Sequence, residues 1–393
     1  MRLYMGCELT TLFQHKEQCC GCGSCVQKCP RKCISFKADA EGFLYPSIDQ
    51  KNCINCGLCV SVCPFHNPME FRIPRKVFAA FNKDEQIRRD SSSGGLFSML
   101  AKCVLDEGGV VFGAMFDEGW NVVHGYVETE EELPRLRGSK YVQSAIGKSF
   151  EDAERFLKNG RQVLFSGTPC QIAGLKKYLG EEFENLITVD IICHGVPSPR
   201  LWNWYLGLQK KRTPIVGISF RNKDDGWKKF NFAIDYGQEI PSVRTYHRED
   251  PYMMAFLDNI SLRPSCSSCQ SKSGRSHSDI TLADFWNVHK VLDGMDDDKG
   301  MSLVLGNTPK GVMALETLQN SIFQEVDFEQ AIQFNKAWRE SFPMNPNREK
   351  FFSSYQKHGK DFADFVGMAQ PQEVSPLKRI KRKVRGFLNR MNK

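Results

Sequence analysis

The sequence lacks the features that would place the chain across a membrane or mark it for export. No stretch of about 18 apolar residues occurs in its 393 residues, so it offers no membrane-spanning helix. Residues 1–13 lack the basic segment and long apolar run of a secretory signal, and we therefore expect a cytoplasmic protein. The G-x-G-x-x-G motif is also absent, which excludes a Rossmann dinucleotide fingerprint.

An excess charge of one sign is missing from most of the chain. The formal net charge is +7, but residues 378–393 alone carry eight Lys or Arg and no acidic residue. The other 377 residues carry 45 basic and 46 acidic side chains. We therefore expect no nucleic-acid partner for the body of the protein, because such partners require a basic surface.

Cysteine is the residue that the chain has in excess. Ten of its 16 cysteines lie between Cys19 and Cys63. Without a secretory signal, clustered cysteines indicate metal or redox chemistry rather than disulfides. Their uneven placement also separates a cysteine-rich head at residues 1–74 from the rest of the chain.

The head contains two runs with the spacing Cys-x2-Cys-x2-Cys-x3-Cys-Pro, which start at Cys19 and Cys53. In two-cluster ferredoxins with this spacing, three cysteines of a run hold one 4Fe–4S cluster and the fourth reaches the other cluster. One cluster is predicted to be held by Cys19, Cys22, Cys25 and Cys63. The other is predicted to be held by Cys53, Cys56, Cys59 and Cys29.

Two points in the head stay open to a simpler interpretation. Structural zinc is the alternative to iron–sulfur clusters, although zinc sites use isolated Cys-x2-Cys pairs rather than runs of four. Cys20 and Cys33 fall outside the spacing, and we interpret them as buried thiols that bind nothing.

The body alternates strand and helix patterns. Strands are predicted at residues 110–116, 163–165, 186–192 and 301–305, and a hairpin at residues 215–220 and 230–235. Helices are predicted at residues 151–158, 169–179 and 310–319, and from Leu96 after a serine N-cap, with Cys103 in the core. This alternation favours an α/β body with a mostly parallel sheet, preceded by an α+β ferredoxin-like head.

A third set of cysteines lies in the body. Cys170 and Cys193 each follow a predicted strand, where parallel sheets place their ligands. Cys266 and Cys269 add a Cys-x2-Cys pair, which completes the four thiols that a further 4Fe–4S cluster needs. From spacing alone, these residues could equally be small buried side chains, a zinc pair or a redox dithiol.

A flavin is the usual partner of an iron–sulfur chain, because it converts single electrons into hydride chemistry. The best candidate for its phosphates is Ser91 to Gly95, at the start of a predicted helix with free N–H groups. An ordinary serine cap is the alternative interpretation. Residues 138–143 supply a second glycine-led loop, which contains Lys140 and Tyr141.

Together these motifs resemble the beta-subunit family of coenzyme F420 hydrogenases and dehydrogenases. The shared segments follow the family's order over about residues 75–345, and they are residues 92–95, 138–143, 167–171, 193–195, 220–227, 266–269 and 278–286. The resemblance implies an FAD and a 4Fe–4S cluster in the body. The implied cluster ligands are Cys170, Cys193, Cys266 and Cys269. The implied flavin-binding residues are Ser92, Ser93, Gly94, Gly95, Lys140, Tyr141 and Thr168.

The resemblance implies an oxidoreductase but leaves its substrate open. We predict an iron–sulfur flavoprotein that passes electrons between three 4Fe–4S clusters, FAD and a hydride-exchanging substrate, either the deazaflavin coenzyme F420 or another molecule. Its partner would be a redox protein or a small-molecule hydride donor or acceptor. The alternatives are an electron-transfer subunit without its own substrate and a non-catalytic protein with structural clusters. No catalytic residue is assigned.

Beyond the segment that resembles the family lies a C-terminal extension at residues 346–393, which ends in a basic amphipathic pattern. From Leu377 onward, apolar residues recur at three- and four-residue intervals, with Lys and Arg between them. This pattern is suited to the surface of an anionic membrane, so the protein could be peripheral at its inner face. A solvated tail and a helix that docks on an acidic partner are the alternatives.

Overall fold

The computed structural model describes residues 12–209, 214–238 and 240–358. Its strands are β1 Ile34–Ala38, β2 Leu44–Ile48, β3 Lys76–Asn82, β4 Val110–Phe116, β5 Val122–Val127, β6 Val163–Gly167, β7 Leu186–Ile191, β8 Gly217–Asn222, β9 Asn231–Asp235, β10 Val243–Tyr246, β11 Ile280–Asp284, β12 Ser302–Gly306 and β13 Ser321–Glu325. Its α-helices are α1 Ser24–Lys28, α2 Leu58–Ser61, α3 Glu85–Asp90, α4 Leu96–Asp106, α5 Ser149–Lys158, α6 Pro169–Leu179, α7 Pro199–Gln209, α8 Pro251–Leu257, α9 Pro309–Glu316, α10 Phe328–Ile332 and α11 Arg348–His358. Short 3-10 helices lie at Lys16–Gln18, Leu133–Arg135, Pro264–Ser268, Val288–Lys290 and Lys336–Trp338.

The head combines one hairpin with two short helices that begin in the same way. β1 and β2 pair antiparallel, with Ile34 opposite Ile48. α1 begins after Gly23 and α2 after Gly57, and both glycines have left-handed backbone angles, with φ of 83° and 75°. Glycine adopts this conformation without a steric penalty. In each cysteine run, a glycine therefore turns the chain into a helix between the second and third cysteines.

The body is built on an eight-stranded sheet with the order β13-β3-β12-β11-β7-β6-β4-β5. The four adjacent strands β11, β7, β6 and β4 run parallel, whereas the pairs on either side of them are antiparallel. The prediction of an α/β body is confirmed. The parallel sheet is confirmed for these four strands, and the whole sheet is mixed. Antiparallel β5 and β13 are not among the predicted strands, because they are only partly buried and lack a continuous apolar run.

A separate three-stranded sheet contains the predicted hairpin. β8 and β9 pair antiparallel, and β10 adds a third strand beside β9. The pairing of β8 is irregular between Ser219 and Asn222. Phe220 and Arg221 occupy this irregular part and are both buried, although consecutive residues of a regular strand face opposite sides. The irregularity thus allows an arginine to be buried next to a core phenylalanine.

Helix α4 corrects two predictions. Its N-cap is Gly95, which has a left-handed φ of 86°, and not a serine. Cys103 is exposed on this helix and does not belong to the core. Its position lies outside the buried face, which is formed by Leu96, Ser98, Leu100, Ala101 and Leu105.

The head and the body share one hydrophobic core. Phe43 and Tyr45 of the head hairpin pack in the same cluster as Trp202 and Tyr252 of the body. β6 is buried on both faces, since Leu164 faces one core cluster and its neighbours face another. The head is therefore packed against the body, and its cysteines keep a fixed relation to the sheet.

Among the described residues, no helix combines the length and the apolar character needed to cross a membrane. The basic pattern predicted for the tail, residues 377–393, lies outside the described residues.

Candidate redox-cofactor sites

One cavity of the head collects the second predicted set of cysteines. This cavity, the distal site, is lined by Cys29, Cys53, Cys56 and Cys59, together with Cys33. Cys29 belongs to the first run, but it lines the cavity formed by cysteines of the second run. Cys56 is exposed, and the exposed side chains of Ile54 and Leu58 also line this cavity. The distal site therefore lies at the protein surface.

A second cavity of the head, the proximal site, collects the first predicted set. It is lined by Cys19, Cys22, Cys25 and Cys63, together with Cys20. Burial raises the pKa of the Cys63 thiol to about 11. Burial also raises the pKa of Cys19, and the nearby Arg263 guanidinium opposes that rise. None of the four proximal cysteines is exposed, unlike Cys56 of the distal site, and Arg263 of the body lies beside Cys19.

The body site is a cavity at the carboxyl ends of two central strands. Cys170 lies on the first turn of α6 after β6, and Cys193 follows β7, its parallel neighbour. Cys266 belongs to the 3-10 helix Pro264–Ser268, and Cys269 is its C-cap. All four thiols line the same cavity. The topology of the sheet thus brings together cysteines that are far apart in the sequence.

The chemistry of these cavities suits 4Fe–4S clusters. Each is lined by one of the predicted sets of four cysteines, the number of ligands that one cluster takes, and by one further cysteine. Lys272 is buried beside the body site, where its Nζ donates to the carbonyls of Cys193, at 2.5 Å, and Ala337, at 2.6 Å. A buried cation supplies the counter-charge that a set of thiolates needs. Burial raises the pKa of Cys266 to about 12, so this thiol stays protonated at neutral pH without a bound cation.

Cys20 lies between the proximal site and the body site. It lines both cavities, and the neighbouring Cys170 and Cys22 thiols raise the pKa of its own thiol. Cys20 therefore lies between two sets of thiols, a position that its place in the sequence did not indicate. Cys33 is buried, and its sulfur lies 3.4 Å from Cys29 Sγ.

A buried ion pair joins several of the segments that resemble the beta-subunit family. Arg221 Nη1 donates to Asp284 Oδ2 at 2.7 Å and to the Tyr141 hydroxyl at 3.1 Å. Its Nη2 donates to the Ser92 carbonyl at 3.2 Å. Trp227 Nε1 donates to Asp284 Oδ1 at 3.1 Å. The segment at residues 220–227 therefore braces the predicted flavin-binding loops, and it does so through side chains.

The predicted phosphate segment is held by its own packing. Ser92 Oγ accepts from the Ser139 N–H at 2.7 Å, so the two predicted flavin loops are adjacent. Ser93 Oγ donates to the Met301 carbonyl at 2.8 Å. A Cβ atom at Gly94 would lie 2.6 Å from the Ala80 carbonyl, so close packing against β3 already requires this glycine. Gly95 is required by its left-handed conformation.

Two lysines flank this segment without a carboxylate partner among the described residues. Lys140 Nζ donates to the carbonyls of Arg137, at 3.1 Å, and Gly138, at 3.2 Å. Lys223 Nζ donates to the Ser93 carbonyl at 3.0 Å. Desolvation lowers the pKa of Lys140 to about 7, and it also lowers the pKa of Lys223 to about 7. Both groups would regain their charge beside an anion.

Aromatic rings connect this region with the body site. The Tyr141 ring stacks on the Phe256 ring, with centroids 4.6 Å apart. The centroid of the His194 ring lies 5.0 Å from that of Phe256. His194 lines the body cavity next to Cys193. Thr168, also predicted to bind flavin, instead contacts the body site, with its Oγ1 3.2 Å from Cys170 Sγ.

Sequence reasoning missed three residues around the cavities: Cys20, Arg263 and Lys272. Cys20 gives no signal, because it lies beside Cys19 and outside the spacing. The two basic residues flank the Cys-x2-Cys pair, three positions before Cys266 and three after Cys269. A basic residue on each side of a cysteine pair is a signal that could have indicated counter-charges for a cluster.

Family models match three parts of the chain. Residues 77–151 match the model described as "Coenzyme F420 hydrogenase/dehydrogenase, beta subunit N-term", and residues 160–330 match the corresponding C-terminus. The chain belongs to this beta-subunit family. Residues 18–67 match a 4Fe-4S dicluster domain. The chain is therefore an iron–sulfur protein of an oxidoreductase family, and the predicted resemblance is confirmed.

Comparison with solved structures finds a chain of the F420-reducing NiFe hydrogenase complex from Methanosarcina barkeri, studied by xenon derivatization. The two chains share 16% sequence identity, with a TM-score of 0.47. The similarity covers 74% of this chain and 94% of that chain. No curated protein gives a significant match.

Proposed function

We propose that this protein is an iron–sulfur flavoprotein that carries electrons through three 4Fe–4S clusters to an FAD, which exchanges hydride with a substrate. The observation that carries the proposal is the arrangement of the cysteines. Twelve of them fall into three sets of four, and each set lines its own cavity. The family supports the oxidoreductase class, and the cavities support the number of clusters.

The three cavities lie in an order that suits stepwise electron transfer. The distal site is at the surface, where a redox partner can approach it. Both head cavities draw a cysteine from the other run, since Cys29 lines the distal site and Cys63 the proximal site. Cys20 and Phe65 line both the proximal site and the body site, so these two cavities are separated by single side chains. Clusters bound here would be close enough to exchange electrons.

The surroundings of residues 92–95 support an FAD pyrophosphate. Arg221 donates to the Ser92 carbonyl and pairs with Asp284, and Lys223 donates to the Ser93 carbonyl. Lys140 belongs to the adjacent loop, in which the Ser139 N–H donates to Ser92 Oγ. A pyrophosphate would supply the negative charge beside which both desolvated lysines would keep their protons. The proposed flavin-binding set is Ser92, Ser93, Gly94, Gly95, Lys140 and Tyr141, with Thr168 nearer the body site.

When bound, the clusters supply one-electron transfer and the flavin supplies hydride transfer. The residues of the chain would hold and orient these groups. Tyr141 and Phe256 would lie between the flavin region and the body site, with His194 beside Cys193. The Arg221–Asp284 pair fixes Tyr141 through its hydroxyl, so it would keep this path in place.

The substrate is either coenzyme F420 or another hydride donor or acceptor, and a protein partner would exchange single electrons at the distal site. For the tail, we propose contact between residues 377–393 and an anionic membrane surface, on the sequence pattern alone.

An anaerobic preparation tests the proposal directly. We expect about twelve irons per chain, four for each of three clusters, and one noncovalent FAD identified by chromatography. Reduction of the isolated chain by F420H2, a nicotinamide or another hydride donor, with turnover, supports an enzyme with its own substrate. Reduction only by one-electron donors, without FAD, would support an electron-transfer subunit. Eight irons would refute the body cluster.

A further inference from the structure

Arg263 is a buried cation without a carboxylate partner in the described part of the chain. It is 1% exposed. Its Nε donates to the Cys19 carbonyl at 2.8 Å, its Nη1 to Gln143 Oε1 at 2.9 Å and its Nη2 to the Leu44 carbonyl at 3.0 Å. These neutral acceptors satisfy its hydrogen bonds and leave its charge uncompensated. Because a buried charge is costly without a counter-charge, something else in this region must supply one.

The nearest candidate for that counter-charge is the proximal site. Arg263 Nη2 lies 3.7 Å from Cys19 Sγ, within hydrogen-bonding distance for a sulfur acceptor. Arg263 also lines the body site. One fixed positive charge therefore lies between two of the proposed cluster sites, with an N–H group directed at a proposed ligand of one of them.

The aromatic surroundings fix the position of this charge. The guanidinium lies over the Tyr45 ring, 4.2 Å from its centroid, and 5.5 Å from the centroid of Phe43. Arginine stacks on aromatic rings and donates through a planar fork, which a lysine cannot reproduce. The head hairpin thus holds the side chain that the body contributes, and neither region alone would place this charge.

We propose that Arg263 is a positioning residue that raises the reduction potential of the proximal cluster through its charge and its N–H···S contact with Cys19. The inference rests on the proposed function, since it requires a cluster at the proximal site. Reduction adds one negative charge to a cluster, and a nearby cation stabilises the reduced state more than the oxidised state. Net charge and hydrogen bonds to sulfur are the factors that set such potentials.

Redox titration followed by electron paramagnetic resonance tests this role on the full-length holoprotein. In Arg263→Gln, we expect the reduction potential of the proximal cluster to fall by about 59 mV. This fall corresponds to about a tenfold decrease in the ratio of reduced to oxidised cluster at a given potential. Arg263→Lys keeps the charge but loses the planar fork, so it should recover only part of the native potential. Arg348→Gln is the matched control, because Arg348 is also buried, donates to Glu41 of the head at 2.8 Å and does not line the cavities described above.

A second variant decides the question if Arg263→Gln loses its clusters. Gln143→Glu places a carboxylate where Arg263 Nη1 now has a neutral acceptor, so it compensates the charge without removing the arginine. We expect the reduction potential of the proximal cluster to fall in this variant as well. An unchanged proximal potential in whichever of these two variants keeps its iron would overturn the role of Arg263. A native protein that lacks a proximal cluster signal would instead refute the proposed function.

Discussion

The head and the body assemble four thiols around a cavity in different ways. In the head, each set comes from two short runs, and a left-handed glycine in each run starts a helix between the second and third cysteines. In the body, residues 170 to 269 contribute one set, and the parallel pairing of β6 and β7 brings Cys170 and Cys193 together. Local turns build the head sites, whereas sheet topology builds the body site.

The two regions also depend on each other for charge and packing. The body contributes Arg263 to the proximal site of the head, and the head contributes Cys20 to the wall of the body site. Ser24 Oγ donates to the Gly174 carbonyl at 2.8 Å across the same boundary. The two regions therefore pack as one unit and share the walls of their cavities, although their sequence signals are separate.

The largest expected effect is the loss of a whole cluster from one region. Cys266→Ser should lower the iron content from about twelve to about eight, because the body set loses a thiol while both head sets stay complete. Anaerobic iron and sulfide analysis measures this change. Cys103→Ser is the control, since Cys103 is exposed on α4 and should leave the iron content unaltered. Equal iron in Cys266→Ser and native protein would refute the body site.

A second variant disturbs the packing between the two regions. A Cβ atom at Gly174 of α6 would lie 2.8 Å from both Cys22 Cβ and Ser24 Oγ. Gly174→Ala should therefore destabilise the protein by about 1–3 kcal/mol, as overpacking usually does. Gly207→Ala, on α7 with open space around it, should instead stabilise by up to about 1 kcal/mol. Anaerobic thermal unfolding compares the two variants, and a lower midpoint for Gly207→Ala than for Gly174→Ala would contradict the close contact.

A third variant tests the flavin region of the body through the pH dependence of FAD binding. In the free protein, desolvation lowers the pKa of Lys140 to about 7. A bound phosphate would keep Lys140 protonated, so binding above pH 7 takes up a proton and affinity should fall by up to about tenfold per pH unit. Below pH 7 the lysine is already charged, and affinity should be constant.

Calorimetric titration of the flavin-free protein between pH 6 and pH 9 measures this slope, which Lys223 would increase if it also contacts the phosphate. Lys140→Met should reduce the slope and weaken binding at pH 6, because one charged partner is lost. Lys148→Met, at an exposed position nearby, should change neither. A slope that is the same in Lys140→Met and native protein would place the phosphate elsewhere.

Deletion of the tail is expected to have the smallest effect on the head and the body. Deletion of residues 377–393 should leave the iron content and the flavin unchanged, while abolishing co-sedimentation with anionic vesicles at low salt. Each basic residue near such a surface contributes about 1 kcal/mol. Neutral vesicles serve as the control. Binding that survives the deletion, or its absence in the intact chain, would refute membrane contact through the tail.

Much of the body's fold could be predicted from the sequence, because its buried elements have strong apolar patterns. The predicted bounds of β4 and α6 agree with the structure, and the hairpin of β8 and β9 is present. The prediction of a serine cap on α4 failed because Gly95, in a left-handed conformation, ends the preceding turn. The apolar periodicity of α4 also wrongly predicted that Cys103 is in the core. This pattern does not determine which edge of the apolar face of the helix is buried.

The sequence by itself determined how the head cysteines are grouped, because the members of each run are close along the chain and local turns bring them together. It also determined the family, through motifs whose order does not depend on the fold. Only the tertiary structure decided that Cys20 lies between two cavities and that Arg263 reaches Cys19 across the boundary between head and body. Such contacts join residues far apart in the chain, and no local spacing or propensity specifies them, because they result from how the sheet and the hairpin pack.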